Sequence, residues 1–229
     1  MGLSLVHYKK FIHRDLHSGN VLINNSIDST TIADLGISKP IDESSNKDAI
    51  YGVIPYVAPE VLKGGKFTQA SDIYSFVMII WEVITGYRPF SDRKHDEHLI
   101  LDILNGLRPK IPANVPQDLI KLIEKCWHQD SEKRFRTSKD KSSFDNLVFE
   151  LFKLVNKASR GEIKFPENRD TSILTNKINN QAIYSSRPLT PLISKALTLQ
   201  SLKLNSNVIA DILNQANDSK EIDLDINKM

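Results

Sequence analysis

Three short clusters of the sequence carry residue types from which a chemical site could be built. They are HRDLHSGN at 13–20, DLG at 34–36 and APE at 58–60. The first two clusters contain the oxygen-bearing side chains of Asp15, Asn20 and Asp34, and hard oxygen ligands of this kind suit magnesium. Each cluster alone is weak support for a site, because short strings recur by chance and a lone Asp in a loop is usually a turn residue.

The order and spacing of the clusters make them informative, and the pattern continues further along the chain. The continuation consists of DIYSF at 72–76, TGYRPF at 85–90 and CWHQDSEKRFR at 126–136. Together these strings resemble the C-terminal lobe of a eukaryotic protein kinase, most like the tyrosine-kinase-like branch. The resemblance covers roughly residues 1–156. It implies an enzyme that transfers the γ-phosphoryl group of ATP to hydroxyl groups of proteins.

The kinase resemblance implies a role for each residue of the candidate site. Asp15 would orient the acceptor hydroxyl and take its proton late in the reaction, with Asn20 in the same catalytic loop. Asn20 and Asp34 would each bind magnesium through a side-chain oxygen, and Leu22 would lie under the adenine. The implied cofactors are ATP and Mg²⁺, and the implied partner is a protein substrate. Neither a nucleic acid nor a membrane is expected as a partner.

The resemblance also implies roles for four residues around the site. Glu60 and Arg134 resemble a buried ion pair that ties the activation segment to the lower helices. Asp72 resembles the carboxylate that accepts backbone N–H groups of the catalytic loop, and Arg14 would meet a phosphate on the activation segment. The hydroxyl groups available for such a phosphate are those of Ser38, Ser44, Ser45 and Tyr51.

Short elements must position these residues. Hydrophobic spacing predicts strands at 21–23 and 30–33 and the strongest helix at 72–86, which Thr85–Gly86 and Pro89 end. Further helices are predicted at 3–12, 99–107, 118–127, 144–155, 192–203 and 207–216. The fold class is therefore mainly α with a small β-hairpin region, a protein-kinase-like fold consisting of the C-lobe only.

Length and composition set the outer limits of this interpretation. The 229 residues, 40% of them hydrophobic, are enough for one domain and a tail. We predict a kinase C-lobe over 1–160 and a low-complexity or loosely structured C-terminal tail over 161–229. The net charge of +2 argues against a nucleic-acid clamp, and the single cysteine, Cys126, excludes an intrachain disulfide framework. The expected location is the cytoplasm, because no signal peptide or long apolar run is present.

Departures from the kinase pattern leave alternatives open. Only 14 residues precede Asp15, and no glycine-rich phosphate loop or strand lysine follows, so the N-lobe is expected to be absent and the chain nearly inactive by itself. His17 stands where Ser/Thr kinases usually have Lys, and Gly52–Val53 replaces the usual Gly-Thr, so Ser/Thr specificity is only mildly favoured over Tyr. The alternatives are a catalytically inactive kinase-like binding module and a truncated product without function.

Overall fold

The computed structural model describes residues 2–24, 29–43, 49–113, 115–134 and 178–206. The predicted helices over 144–155 and 207–216 lie outside these ranges, as do Ser44 and Ser45. The boundary between a lobe ending at 160 and a tail beginning at 161 also falls outside them and stays a prediction.

The described residues form several helices and short strands. The α-helices are α1 (Gly2–Tyr8), α2 (Pro59–Leu62), α3 (Gln69–Thr85), α4 (Glu97–Leu104), α5 (Gln117–Cys126) and α6 (190–206). The strands are β1 (Phe11–Ile12), β2 (Val21–Asn24), β3 (Ser29–Ile32), β4 (Lys39–Pro40), β5 (Tyr51–Gly52) and β6 (Arg187–Pro188). Short 3-10 turns cover Ser18–Asn20, Ile41–Glu43, Ile54–Tyr56 and Ser131–Lys133.

The strands pair in antiparallel twos: β1 with β4, β2 with β3, and β5 with β6. The β2–β3 pair places Val21 opposite Ile32, which confirms the two predicted strands. The fold is thus mainly helical with small sheets, as predicted. The β5–β6 pair joins residues far apart in the chain and was not predicted.

Helix α3 organises the core, because its side chains are buried on almost every face. Ile73, Tyr74 and Met78 are completely shielded from solvent. The helix begins three residues before the predicted start, since the Thr68 side chain accepts the Ser71 N–H and forms a capping box with it. It ends as predicted at Gly86, whose left-handed φ of 71° favours glycine.

Helix boundaries elsewhere follow local backbone chemistry. The predicted helix over 3–12 is too long, because α1 ends at Tyr8 and Lys10 adopts a φ of 60° before β1. Helices α4 and α5 lie within about two or three residues of their predicted ranges. Helix α6 contains the whole predicted range of 192–203.

Two further properties of the described residues bear on chemistry. Cys126 is buried, and burial raises the pKa of its thiol to about 12, so this cysteine is suited to packing and not to nucleophilic chemistry. None of the helices in the described ranges has the length and apolar character needed to span a membrane.

Candidate active site

The loop at 13–20 is anchored to the core by Asp72, in the first turn of α3. Asp72 Oδ2 accepts the backbone N–H of His13 at 2.8 Å, and Oδ1 accepts that of Arg14 at 3.0 Å. His7 Nε2 donates to the same carboxylate at 2.8 Å. Asp72 is only 1% exposed, so these charge-assisted hydrogen bonds are shielded from water. The predicted contact of Asp72 with the loop backbone is confirmed.

Asn20 is fixed to the same loop through its side-chain amide. Its Nδ2 donates to the carbonyl oxygen of Asp15 at 2.9 Å, five residues earlier. Because the amide nitrogen is used in this way, Oδ1 is the Asn20 atom suited to a cation. The Ser18–Asn20 turn that carries it begins at His17, whose Nδ1 accepts the Gly19 N–H at 3.1 Å.

Asp34 lies immediately after the β2–β3 hairpin, which joins it to the loop. The N–H of the preceding residue, Ala33, donates to Asn20 O at 2.9 Å. Asp34 itself adopts a φ of 60°, is exposed, and accepts the Gly36 N–H through Oδ1 at 3.2 Å. The structure therefore brings the loop with Asp15 and Asn20 together with the turn that carries Asp34.

His13 connects these two parts, although sequence analysis gave it no role. Its Nε2 donates to Ala33 O at 3.2 Å, and its Nδ1 accepts the Asp15 N–H at 3.3 Å. The ring is fully buried. The sequence feature that could have revealed this role is the position of His13 in the HRD string, two residues before Asp15.

Leu22 lies on β2 beside this site and is 56% exposed. Other large apolar side chains in the first part of the chain are also exposed, namely Leu5, Tyr8, Phe11 and Leu35. Exposed apolar side chains of this kind are accessible for contact with another chemical group or protein part. Leu22 is thus available for the predicted contact with adenine, which stays a prediction.

The start of the activation segment lies against Arg14. The guanidinium donates to Ile37 O at 3.3 Å and stacks over the Phe67 ring at 4.8 Å, while Ser38 Oγ donates to His13 O at 3.2 Å. A cavity of about 280 Å³ opens here, lined by Arg14, Gly36, Ile37, Ser38, Lys39, Ala49 and Tyr51. Its two cationic residues suit an anion. Phosphorylation of the segment stays a prediction.

The end of the activation segment is tied to the lower part of the fold by Glu60 and Arg134. Two parallel hydrogen bonds of 2.7 and 2.8 Å join the guanidinium to the carboxylate, and the Arg134 side chain is completely buried. Arg134 Nε also donates to His128 O at 2.7 Å. The predicted buried ion pair is confirmed, and its bidentate geometry makes it specific for Arg.

The side chains of His17 and Tyr56, whose rings lie 6.3 Å apart, have perturbed pKa values. Burial lowers the pKa of His17, which favours the neutral ring that accepts the Gly19 N–H. Burial and the nearby Glu82 carboxylate raise the pKa of Tyr56, whose hydroxyl donates to Glu82 Oε2 at 2.5 Å. Tyr56 therefore acts as a neutral hydrogen-bond donor to Glu82.

His95, Asp96 and His98 stand close together in the sequence and carry side chains of types that can bind a metal ion. In the structure Asp96 caps α4 through the N–H groups of His98 and Leu99. His95 Nε2 donates to Phe90 O at 3.1 Å, and Nδ1 accepts the Ile183 N–H at 3.1 Å. Within the described ranges, His, Cys, Asp and Glu form no group of three that could hold a metal ion.

Comparison with protein families identifies the fold. The family model described as protein tyrosine and serine/threonine kinase matches residues 1–158, more than half of the chain. The chain belongs to this protein kinase family. Membership confirms the resemblance drawn from the clusters. The assignments to the tyrosine-kinase-like branch and to the C-lobe alone stay predictions.

Individual relatives of this kinase chain come from distant organisms. A candidate serine/threonine-protein kinase/receptor of Acanthamoeba polyphaga mimivirus, R831, is 37% identical over 136 residues, 58% of this chain and 8% of its own length. Serine/threonine-protein kinase STY17 of Arabidopsis thaliana is 33% identical over 129 residues, 56% of this chain and 22% of its own length. A light-sensor protein kinase of Ceratodon purpureus is 36% identical over 160 residues, 58% and 12% of the two lengths. The chain thus spans less than a quarter of each of these relatives.

Proposed function

We propose that this chain carries the catalytic-loop lobe of an ATP-dependent protein kinase that phosphorylates Ser and Thr. The observation that carries the proposal is the fixed backbone of the loop at 13–20, held by Asp72 and by the amide of Asn20. Preorganisation of this kind is what phosphoryl transfer demands of a protein. Ser and Thr are favoured as acceptors because two of the three relatives described above carry that specificity in their names.

The side chains fit a magnesium nucleotide by their chemistry. Asn20 offers Oδ1 because its Nδ2 is engaged, and the exposed Asp34 offers a carboxylate on the adjacent turn. Leu22 offers apolar surface to the adenine beside them. Magnesium, when bound, would neutralise charge on the phosphates. Asn20 and Asp34 would hold the metal, and Asp15 would orient the acceptor hydroxyl and accept its proton at a carboxylate oxygen.

The proposed kinase reaction also implies partners, a cellular location and a form of regulation. A protein substrate and ATP are the expected partners, and the cytoplasm is the expected location, since both ATP and reduced Cys126 belong there. The cavity that Arg14 and Lys39 line together with Ser38 and Tyr51 supports regulation by phosphorylation of Ser38 or Tyr51.

The decisive experiment measures transfer of ³²P from [γ-³²P]ATP to casein by the natural gene product. Asp15→Asn should lower the transfer rate by about 10²–10⁴-fold, because general-base catalysis contributes that much. Asp34→Asn should abolish the magnesium-dependent transfer. The matched control is Asp118→Asn, a fully exposed carboxylate far along the chain, which should leave the rate unchanged. Full activity of Asp15→Asn or Asp34→Asn would contradict the assignment.

A catalytically inactive kinase-like binding module is the second candidate. The observation that favours it is the exposure of the apolar side chains of Leu5, Tyr8, Leu22 and Leu35 at the protein surface. This candidate predicts no ³²P transfer by the wild-type natural product, together with retention of a partner on that surface. Static light scattering of the purified protein would show self-association or a bound partner under this alternative.

A further inference from the structure

Residues 178–206 pack against the kinase lobe at the loop that joins α3 to α4. The N–H of His95 donates to Gln181 O at 3.1 Å, and that of Ile183 donates to His95 Nδ1. Tyr184 packs edge-on against the His95 ring at 4.8 Å, and its hydroxyl donates to Pro89 O at 2.9 Å. This part of the predicted tail is therefore docked through specific contacts.

The same segment then continues as a strand added to the activation segment. β6 pairs antiparallel with β5 and places Arg187 opposite Gly52. The N–H of Leu189 extends this pairing by donating to Ile50 O at 2.8 Å. Strand addition supplies affinity through main-chain hydrogen bonds and leaves specificity to the side chains.

Side chains in β6 and directly after it make specific contacts with the kinase lobe. Arg187 Nη2 donates to His95 O at 2.7 Å, while the Leu189 side chain is completely buried. Thr190 Oγ1 accepts the Ile50 N–H at 3.3 Å. The contact thus selects an arginine followed two residues later by an apolar side chain.

The docked strand lies next to the candidate catalytic carboxylate. A Cβ atom at position 52 would lie 3.7 Å from Asp15 Oδ1 and 4.0 Å from Leu189 Cδ1. It would also lie 2.8 Å from Val57 Cγ2, so only glycine fits there. Gly52 is therefore the residue that lies between the Asp15 carboxylate and the Leu189 side chain of the docked segment.

Helix α6, which follows β6 in the chain, packs its first residues against the kinase lobe. Ile193 and Ala196 are buried against the lobe, and Lys195 Nζ lies 2.5 Å from Glu97 Oε1. The far end of α6 is different, because residues 201–206 are exposed. The helix therefore anchors the strand through its first two turns.

We propose that the groove between β5 and the α3–α4 loop is a binding site for extended peptides containing Arg-x-Leu, and that residues 184–190 of this chain occupy it. The occupant is connected covalently, so its effective concentration at the groove is in the millimolar range. An external peptide must displace it. If the proposed kinase function holds, this displacement is the step by which a protein substrate reaches Asp15.

The test uses a fluorescein-labelled synthetic peptide of residues 183–193 and the natural gene product, with binding followed by fluorescence anisotropy. Leu189→Asp and Arg187→Ala should release the internal segment and tighten binding of the peptide by about tenfold or more. Leu204→Asp is the matched control, since Leu204 lies on the same helix but is 60% exposed, and it should bind as weakly as the wild type. A peptide with the Leu189→Asp change should not bind.

Hydrogen exchange separates release from unfolding. In a released variant the amides of Leu189 and Tyr51–Gly52 should exchange faster, while those of α3 stay protected. If Leu189→Asp also loses protection in α3, the milder Arg187→Ala decides the matter. Equal peptide binding by the wild type and by every folded variant would overturn the proposal. Because peptide binding needs no ATP, this result is independent of whether the ³²P transfer assay succeeds.

Discussion

Asp72 and Asp34 serve the same loop from two regions of opposite character. Asp72 is buried at the start of α3 and accepts hydrogen bonds from His7, His13 and Arg14. Asp34 is exposed on a turn with a left-handed φ and accepts only a local N–H from Gly36 among the contacts described here. Asp72 therefore stabilises the fold, whereas the Asp34 carboxylate is exposed and, under the proposed function, would bind magnesium.

The largest effect on stability is expected at Asp72. Asp72→Ala leaves the His13 and Arg14 N–H groups buried without their acceptor, which should lower the free energy of unfolding by about 3 kcal/mol or more. Urea unfolding followed by Trp fluorescence measures this change. Asp118→Asn, whose side chain is exposed, should change stability by less than about 0.5 kcal/mol. If Asp72→Ala changed the free energy of unfolding only slightly, buried Asp72 would not differ from exposed Asp34 in its contribution to stability.

The Glu60–Arg134 pair should give the next largest effect. Glu60→Gln leaves the fully buried Arg134 guanidinium with a neutral partner, and we expect a loss of about 2–3 kcal/mol. A double-mutant cycle with Arg134→Met should recover much of that loss, because the buried charge is then removed as well. If the two substitutions changed the free energy of unfolding additively, the interaction between Glu60 and Arg134 would contribute nothing to stability.

A smaller effect is expected at the capping box of α3. Thr68→Ala removes the acceptor of the Ser71 N–H and should cost about 1 kcal/mol, since this is the usual value of an N-cap. Thr68→Ser keeps the hydroxyl and serves as the control. If both variants unfold at the wild-type urea concentration, the cap does not set the start of the helix that carries Asp72.

The docking of residues 178–206 should weaken in mild acid. Burial lowers the pKa of His95 in the folded state, with Arg187 and Arg93 also disfavouring its charge, while backbone carbonyls of Ile183 and Phe90 oppose this. The unfolded or undocked form therefore binds the proton more readily, and the stabilisation is lost as pH falls below about 6.5. Hydrogen exchange of Leu189 between about pH 7.5 and about pH 5.5, corrected for intrinsic rates, measures this effect. His95→Gln should abolish the pH dependence, and an unchanged dependence in that variant would refute the role of His95.

Sequence reasoning reached the candidate site because the residues that build it stand close together in recognisable strings. The loop residues Asp15 and Asn20 are joined by a local hydrogen bond, and the hairpin that precedes Asp34 is a short-range structure. The partners Asp72 and Glu60–Arg134 followed from the kinase resemblance. Without the resemblance, local spacing would have predicted that Asp72 is an N-cap and that Glu60 and Arg134 are surface charges.

The docked segment at 178–206 could not be predicted in the same way. Its contacts join residues about 90 to 140 positions apart, such as Ile183 with His95 and Leu189 with Ile50. Residues 187–192 of this segment, RPLTPL, show no hydrophobic periodicity, and the two prolines indicate only a local break. Its partner surface exists only after the lobe has folded, so no pattern in the segment itself reveals it.

We propose that Asp34 binds a ligand and contributes little to the stability of the fold, in contrast to Asp72. The most direct test measures Mg²⁺-dependent ATP binding by calorimetry and urea unfolding on the same preparations of the natural gene product. We expect Asp34→Asn to lose Mg²⁺-dependent binding while its free energy of unfolding stays within about 0.5 kcal/mol of the wild type. Unchanged binding, or a loss of stability comparable to that of Asp72→Ala, would contradict it.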